Sequence, residues 1–191
     1  MKSKFLYILI ALIPFTGLAQ NKIQWSDDYE LSKSDFQAKA PNTGTMQTVS
    51  GSFFVEYEIG GLNLISTRNL NKNVSCYFQK NASYFDDGDV ASVKRLLRYQ
   101  QLIFNLYELQ ARKLRQKFFE ERQRLLLKGP ATLWEEVSAE HVKIIAKVEN
   151  ETNHGYVSSE ITKWETWTNK ELEKLEEFCK TCKPKKKKKD K

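Results

Sequence analysis

Histidine is scarce in this chain: the 191 residues hold two, with three cysteines, four prolines and eight glycines. A catalytic zinc draws on three protein ligands and an activating base, so two imidazoles already constrain any metal chemistry. No apolar run is long enough to span a bilayer; the longest, Phe5 to Phe15, is interrupted by Pro14. An integral membrane protein is therefore not expected. Disorder is not expected either, because hydrophobic residues make up 40% and aromatics 12%. Residues 89–128 contain neither glycine nor proline, and residues 131–183 contain only Gly155. Turns thus belong to the first half and long helices to the second.

The formal charge of +7 is unevenly placed. Seven lysines and one aspartate fall in the last nine residues, Lys183 to Lys191, and Lys2 and Lys4 lie at the start, so residues 20–182 are close to neutral. Met1 to Lys4 followed by the apolar stretch to Phe15 and the small residues Gly17 and Ala19 has the layout of a secretory signal peptide, cut after Ala19. No cysteine follows the apolar stretch, so a lipid anchor is not expected. The expected organisation is a signal peptide over 1–19, one domain over 20–182 and a disordered polylysine tail over 183–191, in a secreted or periplasmic protein.

Phe53, Val55, Tyr57 and Ile59 alternate with Phe54, Glu56 and Glu58, which predicts a strand with one buried face. Gly60-Gly61 reads as a turn and Leu62 to Thr67 as the hairpin partner. Val74, Cys76 and Phe78 predict a third strand. Asp86-Asp87-Gly88-Asp89 is a turn, with Asp89 a helix N-cap; it lacks the spaced ligands of a calcium loop. Apolar residues at three- and four-residue steps from Val93 to Phe118 predict a long helix over about 90–128, stopped by Lys128-Gly129-Pro130. Further helices are predicted over about 131–149, with Leu133, Val137, His141, Ile144 and Val148 inward, and about 157–182, with Ile161, Trp164, Leu175 and Phe178 inward. The fold class is α+β: an N-terminal antiparallel sheet followed by long helices.

Several blocks resemble, in order, a bacterial domain-of-unknown-function family of predicted secreted zinc-dependent proteases, zincin-like in type. Ile23-Gln-Trp25-Ser26 with Leu31-Ser-Lys-Ser-Asp35-Phe36-Gln37 is similar to its opening block, with Lys33 where a tryptophan is usual. Tyr77-Phe78 and Ser83-Tyr84 resemble the strand and turn before its main helix. Thr152-Asn153-His154-Gly155, followed by Trp164, resembles a later T-x-H-G block. The resemblance covers about residues 21–175 and implies a minimal zincin-like scaffold. On the long helix, Leu96, Leu97, Gln101, Phe104, Glu108, Ala111, Arg112 and Leu114 match the family pattern. The family's H-E-x-x-H, whose two histidines one turn apart ligate zinc around a glutamate base, is Tyr99-Gln100-Gln101-Leu102-Ile103 here. Ile103 has no donor atom, Tyr99 is a poor ligand at neutral pH, and Gln100 lacks the carboxylate that takes a proton from zinc-bound water. The acid that follows is Asn105.

The resemblance therefore implies a pseudoenzyme: a non-catalytic member, with no cofactor expected, whose former cleft of Tyr99, Gln100, Ile103 and His154 binds a peptide or protein or plays a structural part. The competing reading is a metal-dependent hydrolase with ligands relocated to His154, His141 or unplaced acids. A third is an anionic-surface binder acting through the lysine tail; no aromatics interleave with the lysines, so specific nucleic-acid binding is not expected. His141 reads as a core histidine, and Glu108 with Arg112 as an i,i+4 ion pair. Cys76 reads as a buried thiol. Cys179 and Cys182 form a C-x-x-C that closes a helix rather than opening one, which disfavours redox catalysis. A Cys179–Cys182 disulfide and a bridge from Cys76 to either partner both satisfy the count.

Overall fold

The computed structural model of the chain describes residues 21–41, 49–86 and 89–185. The expected leader and residues 186–191 of the expected tail lie outside the described residues. The elements are β1 (Lys22–Gln24), β2 (Val49–Ser50), β3 (Phe53–Tyr57), α1 (Gly61–Ser66), β4 (Val74–Gln79), β5 (Tyr84–Phe85), α2 (Val90–Glu120), α3 (Arg122–Lys128), α4 (Pro130–Glu151) and α5 (Ser158–Lys174). This is the α+β arrangement expected: a small antiparallel sheet, then long helices.

Strand order in the main sheet is β1-β4-β3, with both pairings antiparallel. β4 is central because its alternation is the strongest: Val74, Cys76 and Phe78 are all buried on the face turned to α2. Register places Phe53 opposite Phe78 and Val55 opposite Cys76, so the inward rows of β3 and β4 coincide. On the outer face Phe54 meets Tyr77, and the Lys22 ammonium lies over both rings at 4.8 and 5.4 Å. β2 and β5 form a separate two-residue ladder, Val49 opposite Phe85.

Leu62 to Thr67 is not the hairpin partner of β3. It forms α1 and leaves Leu62 and Ile65 in solvent. Six residues with apolar side chains at 62, 64 and 65 fit a helical turn as well as a strand, and Gly60 supplies the carbonyl that receives the Leu64 amide. β3 pairs instead with β4 across the whole of α1.

α2 runs through the centre of the molecule, with 16 of its 31 residues buried. Asp89 caps it, accepting from the Ala91 and Ser92 amides at 3.0 Å. One face, carrying Phe104, Ala111, Leu114 and Phe118, packs on the sheet. The opposite face, carrying Leu102, Ile103, Leu106 and Leu109, packs with Val148 of α4 and Ile161 and Trp164 of α5. The single helix expected over 90–128 is interrupted at Glu121 (φ −94°, ψ 35°), and α3 starts in a new phase that buries Leu125. Gly129, at φ 74°, then ends α3 where the Gly-Pro signal predicts a stop. The last helix ends at Lys174 rather than near 182. A 3-10 turn over Glu176–Phe178 follows, then a Cys179–Cys182 disulfide. Cys76 is the free, buried thiol.

Candidate functional site

Leu96, Tyr99, Gln100 and Ile103 recur at three- and four-residue spacing, so one face of the first turns of α2 presents all of them. That face floors a cleft of about 120 Å³. Val49, Ser50, Gly51 and Phe53, where β2 passes into β3, form one wall. Glu149, His154 and Tyr156, at the corner between α4 and α5, form the other. Tyr99, Gln100, Ile103 and His154, named together from the sequence, thus share one concavity. The cleft is smaller than the 300 Å³ or more common for drug-sized ligands; its volume suits one side chain of a larger partner.

Two glycines let the walls close on α2. A Cβ at Gly51 would stand 2.4 Å from the Gln100 Oε1, and one at Gly155 would stand 2.7 Å from the Tyr99 Cγ. Gly155 also holds φ +91°, after Asn153 and His154 at φ 47° and 52°. Three successive left-handed residues reverse the chain at the end of α4. The Thr152 hydroxyl fixes the reversal, donating to the Val148 carbonyl at 2.7 Å and accepting from the Gly155 amide at 3.2 Å. Left-handed backbone is costly for a histidine, and such strain collects at binding and switch sites. Its result here is to set the exposed His154 beside the cleft.

The polar groups in the cleft differ in character. Burial, reinforced by the Glu149 charge, pushes the Tyr99 phenol well above its ordinary range, so it stays a neutral hydroxyl. Gln100 is only 4% exposed, yet its amide makes no hydrogen bond with any described residue. Its polar atoms are not shut from solvent, so the amide opens into the cleft. Glu149 is half-buried and has no ion-pair partner among the described residues. The cleft therefore combines an apolar floor with an amide able to donate and accept, a phenol, a carboxylate and an imidazole. Glu149, Gly51 and Phe53 are not among the cleft residues named from the sequence. They come from other elements, and no local spacing links them to α2.

The zinc of the family that the sequence resembles does not fit these residues. Of the donors facing the cleft, only Glu149 and His154 are ordinary zinc ligands, and among the described residues no three His, Cys, Asp or Glu side chains cluster. His141 lies elsewhere, under α2, buried with its ring 4.4 Å from that of Tyr107. Asn105 faces the N-terminal segment, where its Oδ1 accepts from the Trp25 indole at 2.9 Å and from Gln101 at 3.1 Å. Gln101 also accepts from the Leu31 amide. Gln101 and Asn105 thus hold the segment carrying Trp25 and Leu31 against α2.

Glu108 is part of a buried ionic cluster. Arg112 Nε donates to its Oε1 at 3.1 Å and Arg115 Nη1 at 2.7 Å, with Glu108 2% and Arg115 1% exposed. The remaining guanidinium donors reach carbonyls: Arg115 those of Val74 and Phe178, Arg112 that of Leu172. The i,i+4 pair read from the sequence exists, but Arg115, at i+7 on the same face, makes it a triad. Its geometry is that of a brace between β4, α2 and the C-terminal turn.

No protein-family model, no curated protein and no solved structure matches the chain.

Proposed function

We propose that this is a secreted or periplasmic, non-catalytic protein of zincin-like type that binds a peptide or protein segment by one side chain in the cleft on α2. The observation that carries this reading is Gln100. It stands where the resemblance puts a glutamate base, and its amide, opening into the cleft and without a hydrogen bond among the described residues, suits a peptide group rather than activating water. Ile103 and Phe53 supply apolar contact, and Glu149 favours a ligand side chain carrying an N–H donor or positive charge. No cofactor is needed for this role.

The test is retention on arrays of short random peptides, compared with an Ile103→Trp variant in which the indole fills the cleft. The wild type should retain a subset of peptides uncleaved, with or without zinc, and the variant should lose at least about tenfold in affinity, the scale of losing one buried apolar contact. Absence of retention would overturn the reading. Glu149 and His154 on the same cleft keep the hydrolase reading specific: about one bound zinc per chain with chelator-sensitive cleavage would replace binding by catalysis.

A further inference from the structure

A second cavity, of about 240 Å³, shares no lining residue with the cleft. Glu108 and Arg115 border it, with Trp25 and Asp27 from the segment after β1. Its wall also brings together the two halves of a thiol–disulfide pair. Cys76, the free thiol, comes from β4, and Cys179, one end of the Cys179–Cys182 bridge, comes from the C-terminal turn. Neither the cleft nor the ionic brace makes use of the thiol.

Arg115 holds the two segments side by side. Its guanidinium donates to the Phe178 carbonyl and to the Val74 carbonyl, each at 3.0 Å. Those carbonyls lie one residue before Cys179 and two before Cys76. Asn71, just before β4, donates to the Cys179 and Cys182 carbonyls at 3.0 and 3.2 Å. The turn thus rests on β4 by hydrogen bonds and packing, with no covalent link, because its disulfide spans three residues and joins nothing outside the turn. A bridge to Cys76 needs the two Cα atoms within about 7 Å, and the cavity between them gives the turn room to close.

We propose that Cys76 exchanges with this disulfide, so that the chain switches between a local bridge and a long-range one. The Cys76 thiol gives up its proton and its sulfur attacks the Cys179 Sγ. A Cys76–Cys179 bond forms, the Cys179–Cys182 bond breaks, and Cys182 leaves as a thiolate that takes up the proton. The step consumes no oxidant or reductant. Lys180 and Lys183, on either side of Cys182 in the turn, favour the departing thiolate by their charge. The product staples β4 to the C-terminal turn and frees the half-buried Cys182. A bridge closing residues 76–179 restrains the unfolded chain far more than one closing 179–182. The same oxidation state therefore has an open form and a locked form, and this switch is independent of the reading of the cleft.

Disulfide mapping tests it. The full chain, purified without reductant, is incubated across a series of pH values, quenched in acid, alkylated under denaturing conditions and digested for mass spectrometry. A peptide pair linked through Cys76 and Cys179, with Cys182 alkylated, should accumulate at a rate independent of protein concentration. Burial, reinforced by Glu108, holds the Cys76 thiol well above its ordinary range, so the rate should rise about tenfold per pH unit between about pH 7 and 9. Cys182→Ser leaves Cys76 and Cys179 as the only cysteines. With oxidised glutathione it should form the internal bridge and melt higher than its reduced form. Cys76→Ser should keep the Cys179–Cys182 bridge at every pH. Alkylation of Cys76 alone throughout the wild-type series would overturn the proposal, and that arm stands without any substitution. So would a folded Cys182→Ser chain that gains only glutathione caps, or exchange that speeds up with protein concentration, which would mark bridging between chains.

Discussion

Gly155 lies flat against the Tyr99 ring, and the contact leaves no room for a methyl group: a Cβ there would sit 2.7, 2.8 and 2.9 Å from three carbons of Tyr99. Gly155→Ala must also hold φ +91°. Overpacking and left-handed strain each cost on the order of 1–3 kcal/mol. The expected outcome is a loss of at least about 2 kcal/mol in urea denaturation, with displacement of Tyr99 reported by near-ultraviolet circular dichroism.

The face of α2 under the cleft should accept a metal when given ligands. Tyr99→His, Gln100→Glu and Ile103→His together place two imidazoles one turn apart, beside Glu149 and His154. The triple variant should bind zinc measurably more tightly than the wild type by isothermal titration calorimetry. Destabilisation without gained affinity would mean that this face is simply core.

Glu108→Gln should be among the most damaging single substitutions. Its charge is the only buried counterion of Arg112 and Arg115 among the described residues; the Asp27 carboxylate near Arg112, at 3.9 Å, is largely exposed. Breaking a buried pair from one side costs about 3–5 kcal/mol. Equilibrium denaturation should show a loss of that size, or failure to fold.

His141 gives the stability an acid limb. Burial, reinforced by the nearby Lys113, holds its pKa down at about 4 against an ordinary 6.5, and its Nε2 has no hydrogen-bond partner among the described residues. The neutral ring is the folded form, so the unfolded chain binds the proton more readily. The contribution is fully present above pH 6.5 and is lost as pH falls towards 4. At most it amounts to about 3 kcal/mol, and His141→Leu should flatten the limb in melting curves recorded across that range.

The long helices were legible because α2, α4 and α5 carry an apolar period, with ends marked at Asp89 and Gly129-Pro130; α5 has no such stop after Lys174 and was expected to run on to about 182. α1 was not, because six residues are too few for period to separate strand from helix, and Gly60-Gly61 serves either. The break at Glu121 lies in a stretch with neither glycine nor proline, so no local residue marks it. β1 is three residues long and exists only by pairing with β4. The α2 side of the cleft followed from i,i+4 spacing, whereas Glu149, Gly51 and Phe53 reach it through tertiary folding. Arg115 carried a readable signal, three residues beyond Arg112 and seven beyond Glu108, on one helical face.

The brace that Arg112 and Arg115 make to the Leu172 and Phe178 carbonyls sets an order on the making of the protein. During synthesis the N-terminal sheet and α2 are complete long before residues 172–178 exist. Until those carbonyls arrive, the two guanidiniums lack the acceptors that satisfy them in the folded state, so burying this cluster earlier would leave donors unpaired. Completion of this part of the core therefore depends on residues 172–178, which are made last among those that form it.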